Sequence, residues 1–190
     1  MLCFKADDCS YAQIASIPVG YNNPHLRETA SSPEMINTLI NRPALGSFPS
    51  ATWADILNTG ILKVAPKGMN QVFTGMSGSD ANETAYKAAF IYRAQMLRGG
   101  RDVEFTDEEL ASTMNNQAPG SPQASILSFK SAFHGRLFGT LSTTRSKAIH
   151  KVDIPAFDWP QATFPQLKYP LEEHAQENAQ EEQRCLQEVE

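Results

Sequence analysis

Residues 71–97 decide the predicted fold, and they read QVFTGMSGSDANETAYKAAFIYRAQML. Residues 71–74, Gln-Val-Phe-Thr, predict a short buried strand, and the small polar residues at 77–80 predict a loop. Alanine and other apolar residues at helical spacing then predict a long helix from Asp80 to Leu97, with Gly99-Gly100 as its C-terminal stop. The order strand, loop, helix is typical of the first half of a β-α-β unit.

A second predicted strand lies at residues 125–129, and the segment Ala132-Phe133-His134-Gly135-Arg136 follows it directly. Two strands separated by a helix predict parallel pairing, and therefore an α/β protein. Ligands of open α/β sheets bind beyond the carboxyl ends of the strands. We therefore expect the loop at 77–80, called here the Ser79 loop, to share one rim with residues 132–136, called the His-Gly-Arg segment.

The remaining predicted elements are helices. Pro170–Glu190 reads as a polar helix with a thin apolar stripe at Leu171, Ala175, Leu186 and Val189. Thr106 and Glu109 have the spacing of a capping box, which predicts a short helix to about Asn115. Further helices are predicted at residues 25–30, 33–39 and 52–62.

Composition narrows the class of protein. The chain has 190 residues, 41% hydrophobic residues and a net charge of −5, and no basic cluster follows from its sequence, so nucleic acid is not an expected partner. No apolar run approaches the roughly 20 residues of a membrane span, so no membrane partner is expected. The three scattered cysteines predict neither a zinc site nor a disulfide framework, and they favour a reducing intracellular compartment.

The Ser79 loop has the residue types of a phosphate site. The N-terminus of a helix offers unpaired backbone N–H groups and a partial positive charge, which suit an anion. Gly78 lets phosphate oxygens come close to the backbone, and the Ser77 and Ser79 hydroxyls are further donors. Taken alone, the same residues also fit an ordinary helix cap with no ligand.

The His-Gly-Arg segment has the residue types of a site for a flat ring and a carboxylate. Phe133 can stack on a planar ring, and Arg136 can hold a carboxylate through two parallel hydrogen bonds. Taken alone, the segment also fits a core phenylalanine, a capping histidine and an arginine that faces solvent.

The two loops together resemble the class III pyridoxal-phosphate aminotransferases, and in particular those members that act on 4-aminobutyrate. The resemblance runs from Tyr11 to the end of the chain. The run from Ser146 to Pro155 is the most distinctive part of it. The other similar stretches are residues 11–21, 40–46, 64–69, 116–120, 126–129 and 132–136.

This resemblance implies a role for single residues. Gly78 and Ser79 match the positions that bind the phosphate of pyridoxal 5′-phosphate. Phe133 matches the aromatic residue that stacks on the pyridine ring, and His134 lies beside it. Arg136 matches the residue that binds the substrate carboxylate. A sixth position, Ile14, matches an apolar wall of the substrate pocket.

The resemblance also implies a fold and an activity. The fold is α/β, part of the large domain of a fold-type I pyridoxal-phosphate transferase, with an incomplete parallel-type sheet and helices. Residues 1–10 would be a divergent N-terminus, 11–70 an N-terminal segment, and 71–190 a partial large domain truncated at its C-terminus. The reaction would transfer the amino group of 4-aminobutyrate to 2-oxoglutarate, in a homodimer.

Two departures from the family pattern qualify these expectations. The Schiff-base lysine of the family has no match here, so no catalytic residue is assigned, and the chain is expected to be an inactive fragment or truncated product. Some relatives hold an iron–sulfur cluster on two cysteines, but this chain has Ser77 and Asp80 at the matching positions. No cluster is therefore expected, and no other metal is expected either.

Three functional alternatives remain open at this point. The chain is a piece of a 4-aminobutyrate transaminase, a related transaminase of another ω-amino acid, or a non-catalytic product that binds cofactor or partners. The expected compartment is the cytoplasm or the mitochondrion, and the sequence does not distinguish them.

Overall fold

The computed structural model describes residues 17–40 and 49–190. The chain divides into two units, Met1–Val72 and Phe73–Glu190. The first unit contains short helices: α1 at Pro24–Ala30, α2 at Pro33–Ile40 and α3 at Trp53–Thr59, followed by a 3₁₀ turn at Ile61–Val64. These helices lie where the sequence predicts them, except that the predicted helix at 52–62 is divided at Gly60.

The second unit begins with the long helix α4, Gly78–Arg98. Ser77 is its N-cap, and the Ser77 hydroxyl accepts a hydrogen bond from the backbone N–H of Asp80 at 3.2 Å. Because Ser77 is the cap, the helix begins two residues earlier than predicted. At the other end, Gly99 adopts the left-handed conformation with φ of 105°, which confirms the predicted stop.

Helix α5, Asp107–Thr113, begins with the predicted capping box. The Thr106 hydroxyl accepts from the backbone N–H of Glu109 at 3.2 Å, and the Glu109 carboxylate accepts from the backbone N–H of Thr106 at 2.8 Å. Arg98, the last residue of α4, makes an ion pair with Glu109 at 3.1 Å. The backbone hydrogen bond from Thr106 is the main cause that lowers the pKa of Glu109, and the Arg98 hydrogen bond adds to it.

The sheet is parallel, as predicted, but only one of its two strands, β1, lies within a predicted strand, the one at residues 125–129. Strand β1, Ser128–Phe129, pairs in parallel with β2, Gln161–Ala162, and helix α6, Phe138–Thr143, lies in the connection between them. The predicted strand at 71–74 is wrong: those residues belong to no strand. A strand needs a neighbouring backbone to bond with, and the described chain provides none for these residues.

The last helix is α7, Ala175–Gln187, which begins five residues later than the predicted helix. The Asn178 side chain, which is 8% exposed, attaches α7 to the backbone of Lys168. It accepts a hydrogen bond from the N–H of Lys168 at 2.8 Å and donates one to the carbonyl of Lys168 at 2.9 Å. The buried residues of α7 are Asn178 and Cys185. The residues of the predicted apolar stripe are all exposed: Leu171, Ala175, Leu186 and Val189.

The stability of α7 should fall at acid pH. The hydrogen bond from Arg184, at 2.8 Å, lowers the pKa of Glu181 to about 2. A carboxyl with a depressed pKa in the folded state stabilises the fold above its ordinary value near 4.5, and that contribution is lost as the pH falls toward 2. We expect the thermal midpoint to fall across this range and the Glu181→Gln variant to fall less. Glu182→Gln removes a charge from the same helix and should behave as the unmodified chain does. A midpoint of Glu181→Gln that falls as steeply as that of the parent chain would contradict this.

The most buried part of the second unit is polar. The side chains of Thr140, Ser142, Thr143 and Thr144 are fully buried in α6 and directly after it, near the middle of the β1–β2 connection. Helix α4, in contrast, has no buried residue. Buried hydroxyls almost always have hydrogen-bond partners, so this threonine-rich cluster must be held by specific bonds.

Residues 17–40 and 49–190 contain neither a candidate membrane span nor a candidate metal site. None of their helices is both long and apolar enough to cross a membrane. Over the same residues, no group of three or more His, Cys, Asp or Glu side chains is placed to hold a metal ion.

Candidate functional site

Two side chains cap the junction of the Ser79 loop and α4, the hydroxyl of Ser77 and the carboxylate of Asp80. Besides the Ser77 cap, the Asp80 carboxylate accepts from the backbone N–H of Met76 at 3.0 Å. The backbone N–H groups of Gly78 and Ser79 have no protein acceptor among the described residues. A Cβ added at Gly78 would meet no atom within 4 Å, so the space over the helix end is open. The loop therefore presents free N–H donors to an open surface at the positive end of a helix.

The His-Gly-Arg segment is bonded directly to this helix end. The backbone N–H of Arg136 donates to the Ser79 hydroxyl at 3.2 Å. One turn along the helix, the Asn82 side chain donates to the carbonyl of His134 at 2.8 Å. These bonds join residues more than 50 positions apart and bring the two loops together, although no strand of the sheet precedes the Ser79 loop.

Gly135 permits this close approach. Its φ is +131°, a conformation that other residues rarely adopt, and it is buried. A Cβ at this position would collide with the hydroxyl, Cβ and Cα atoms of Ser79. Only glycine therefore satisfies both the backbone conformation and the contact between the two loops.

Glu83 holds the helix that follows the segment. Its carboxylate accepts from the backbone N–H of Thr140, in the first turn of α6, at 2.7 Å. Gly139 makes room for it, because a Cβ there would lie 2.8 Å from a Glu83 carboxylate oxygen. A carboxylate at a helix N-terminus is stabilised by the helix dipole, so α4 binds α6 through a charged cap.

The two side chains proposed to contact ligand lie next to one another. The Phe133 ring is 51% exposed, and the guanidinium carbon of Arg136 lies 5.4 Å from its centroid. The edge of the His150 ring packs against Phe133, with centroids 5.6 Å apart and an angle of 78° between the planes. His150 and the Arg136 guanidinium thus both contact the Phe133 ring, and about half of this side chain is still exposed.

The base of the segment is held by residues after α6. The backbone N–H of Arg145 donates to the carbonyl of Ala132 at 2.7 Å. The Lys151 ammonium donates to the carbonyl of Thr144 at 2.8 Å. Burial, and secondly the charge of Arg145, lowers the pKa of Lys151. The Nε2 atom of His134 and the Nε atom of Arg145 are buried and without a hydrogen-bond partner in the described chain, so two polar atoms here are unsatisfied.

The structure brings together five of the six sequence-predicted site residues. Gly78 and Ser79 lie at the start of α4, and Phe133, His134 and Arg136 lie in the segment bonded to it. The sixth, Ile14, lies outside the described residues. Sequence reasoning gave no role to the residues that join the loops. A glycine between two functional residues was a usable signal for Gly135, but nothing local marked the others, which are Asn82, Glu83, Thr140 and Thr144.

Relatives of the chain share its sequence over nearly its whole length. A 4-aminobutyrate aminotransferase of Emericella nidulans is 77% identical over 180 residues, which cover 95% of this chain and 36% of that protein. The mitochondrial 4-aminobutyrate aminotransferase of Sus scrofa is 54% identical with the same coverage of both chains. The chain therefore spans about a third of the length of the relatives it matches.

Solved structures share its fold. A lysine aminotransferase of M. tuberculosis is 26% identical, with a TM-score of 0.64 over 90% of this chain and 35% of that chain. This likeness confirms the predicted fold class, part of the large domain of a fold-type I pyridoxal-phosphate transferase. The family model described as aminotransferase class-III matches residues 8–190, and the chain therefore belongs to the class-III aminotransferases.

Proposed function

We propose that this chain provides part of the cofactor and substrate site for pyridoxal-phosphate-dependent transamination of 4-aminobutyrate with 2-oxoglutarate. The products would be succinate semialdehyde and glutamate. The observation that carries the proposal is the hydrogen bond from the Arg136 N–H to the Ser79 hydroxyl at 3.2 Å. It joins a helix end suited to bind a phosphate to a residue suited to bind a carboxylate. The cofactor phosphate and the substrate carboxylate are the two charged groups that such a site must hold.

The phosphate would lie at the start of α4. The free N–H groups of Gly78 and Ser79 would donate to its oxygens, and the open space over Gly78 leaves room for them. The Ser79 hydroxyl already accepts from Arg136, so its own hydrogen remains for a phosphate oxygen. Ser77 and Asp80, in contrast, are used as caps of the loop and its helix.

The pyridine ring would stack on Phe133, and the substrate carboxylate would bind Arg136. His134 lies between these residues in the chain, and its buried Nε2 has no hydrogen-bond partner in the described chain. When bound, the cofactor supplies the electron sink of the reaction. The described residues bind and orient the ligands, and we assign no proton transfer to any of them.

Binding of a cofactor analogue by the chain itself tests the site. The probe is 4′-deoxypyridoxine 5′-phosphate, which carries the ring and phosphate but has no aldehyde to react with stray lysines. We expect saturable binding, measured by calorimetry, that weakens about tenfold in Ser79→Ala because one charge-assisted hydrogen bond is lost. Ser125→Ala, at an exposed serine outside the site, should bind as the parent chain does. Equal binding by both variants would contradict the phosphate assignment.

A chimera tests the activity. The 180 matched residues of the chain replace the corresponding segment of the Emericella nidulans relative, which gives a protein of that relative's length. We expect glutamate formation that depends on both 4-aminobutyrate and 2-oxoglutarate. A chimera that folds and binds pyridoxal phosphate but forms no glutamate from this donor would overturn the proposed substrate.

A second candidate is transamination of another ω-amino acid. The likeness to a lysine aminotransferase favours this alternative, although at 26% identity against 77% for the 4-aminobutyrate relative. Arg136 requires a carboxylate but does not set its distance from the amino group. A panel of donors of increasing chain length distinguishes the two. Sedimentation of the same chimera tests the homodimer, and localisation of a tagged full protein tests the cytoplasm against the mitochondrion.

A further inference from the structure

The Thr144 side chain makes three hydrogen bonds to the His-Gly-Arg segment. Its hydroxyl accepts from the backbone N–H of His134 at 2.9 Å and from that of Gly135 at 3.2 Å, and it donates to the Gly135 carbonyl at 2.8 Å. A hydroxyl has one hydrogen and two acceptor lone pairs, so its bonding capacity is fully used on this one segment. Thr144 is completely buried and contacts no proposed ligand.

The position of Thr144 is itself fixed by its neighbours. Its backbone N–H donates to the carbonyl of Thr140 at 2.9 Å, which continues the last turn of α6, and its carbonyl accepts from Lys151. The next residue, Arg145, donates its N–H to Ala132. Helix α6 therefore returns the chain so that residues 144–145 lie along residues 132–135 and bond with them.

Arg136 is consequently held from two sides. On one side its own N–H bonds with the Ser79 hydroxyl, and on the other the Thr144 hydroxyl fixes the backbone of the two residues before it. Phe133 and Arg136 flank the fixed pair His134-Gly135. The direction in which both side chains leave the backbone therefore depends in part on one buried hydroxyl.

We propose that Thr144 is a positioning residue, which sets the geometry of Phe133 and Arg136 for the ring and the carboxylate through its hydroxyl. The kinetic consequence of this inference rests on the proposed function, and the backbone geometry does not. Loss of the hydroxyl would leave two N–H groups and one carbonyl without their partner in a buried place, and the segment would have to move to satisfy them.

Amide hydrogen exchange tests the geometry without any assay of activity. In the 190-residue chain, NMR should show His134 and Gly135 amides protected although they belong to no helix or strand. In Thr144→Val these two amides should exchange about tenfold faster or more, because their acceptor is gone. Thr144→Ser keeps the hydroxyl and should restore protection.

Thr143→Val is the matched control. Thr143 is equally buried and adjacent, but its hydroxyl bonds with the Thr140 carbonyl and Tyr86 hydroxyl and not with the His-Gly-Arg segment. Thr143→Val should lower the stability of the chain. It should not make the His134 and Gly135 amides exchange faster in comparison with the amides of α7. Unprotected amides in the parent chain would overturn the proposal even if Thr144→Val does not fold. Equal effects of the two valine variants would overturn it as well.

Kinetics of the chimera test the consequence for function. Because Arg136 would bind the carboxylate in the ground and transition states alike, Thr144→Val should raise KM for 4-aminobutyrate by about 10- to 100-fold and change kcat much less. Thr144→Ser should return KM to near the parent value, and Thr143→Val should not raise it. An unchanged KM in Thr144→Val contradicts the positioning role. A parent chimera without 4-aminobutyrate activity would instead overturn the proposed function, while the exchange data would still decide the role of Thr144.

Discussion

Replacement of Gly135 by alanine should separate the two loops and destabilise the second unit by about 2–5 kcal/mol. Two costs add in this variant. The backbone has φ of +131°, which strains any residue with a Cβ, and the new methyl group would collide with the backbone and side chain of Ser79. Neither cost is relieved by rotation of a flexible side chain. Thermal and urea melts of the chain measure the loss.

Gly78→Ala is the matched control for this prediction. Its added Cβ meets no atom within 4 Å and it begins a helix, so the free energy of unfolding should change by less than about 1 kcal/mol. Its Cβ would nevertheless occupy the space where a phosphate approaches the N–H groups. Binding of 4′-deoxypyridoxine 5′-phosphate should therefore weaken in Gly78→Ala without loss of stability. In Gly135→Ala, binding of the analogue and the free energy of unfolding should fall together. A melt of that variant like that of the parent chain would refute the contact between the loops.

The second large effect is expected at Arg136. In the chimera, Arg136→Ala should lower kcat/KM for 4-aminobutyrate by roughly 100-fold, because a desolvated charge pair is worth about 2–5 kcal/mol. Arg136→Lys should recover part of it, since an ammonium keeps the charge but not the paired geometry of a guanidinium. The measurement is the initial rate of glutamate formation over a range of donor concentrations.

The controls for Arg136 separate binding from folding. Its side chain is exposed and its bond with Ser79 is made by the backbone, so neither substitution should change the melt appreciably. Arg93→Ala removes the same charge from an exposed position on α4 and should leave kcat/KM unchanged. If Arg136→Ala and Arg93→Ala give the same kinetics, Arg136 does not bind the carboxylate.

Elements set by neighbouring residues were predictable from the sequence. The stop of α4 at Gly99 and the capping box at Thr106 each involve hydrogen bonds between residues only a few positions apart in the sequence. The residue types alone therefore predict them. The same holds for α1 and α2, whose predicted and observed bounds differ by one residue at most. The start of α4 was placed two residues late because Ser77, not a later residue, makes the cap.

The strands were less predictable because their formation depends on a partner far away in the chain. Residues 71–74 have the composition of a short strand but no described neighbour to pair with. The predicted strand at 125–129 is reduced to Ser128–Phe129, the length over which β2 lies beside it. Strand β2 itself, Gln161–Ala162, has too short a run to be recognised.

The sequence by itself determined the residue types of the site and the family to which they belong. Glycine and serine at a helix start, and a phenylalanine and an arginine near a glycine, carry their chemistry in any surroundings. Only the tertiary structure decided that Arg136 bonds with Ser79, 57 positions away, and that Thr144 supports the backbone before it. Such contacts depend on where α6 returns the chain, and the Glu83 bond that fixes α6 is equally distant in sequence. No local pattern encodes that return, so the geometry of the site follows from packing and not from the motif.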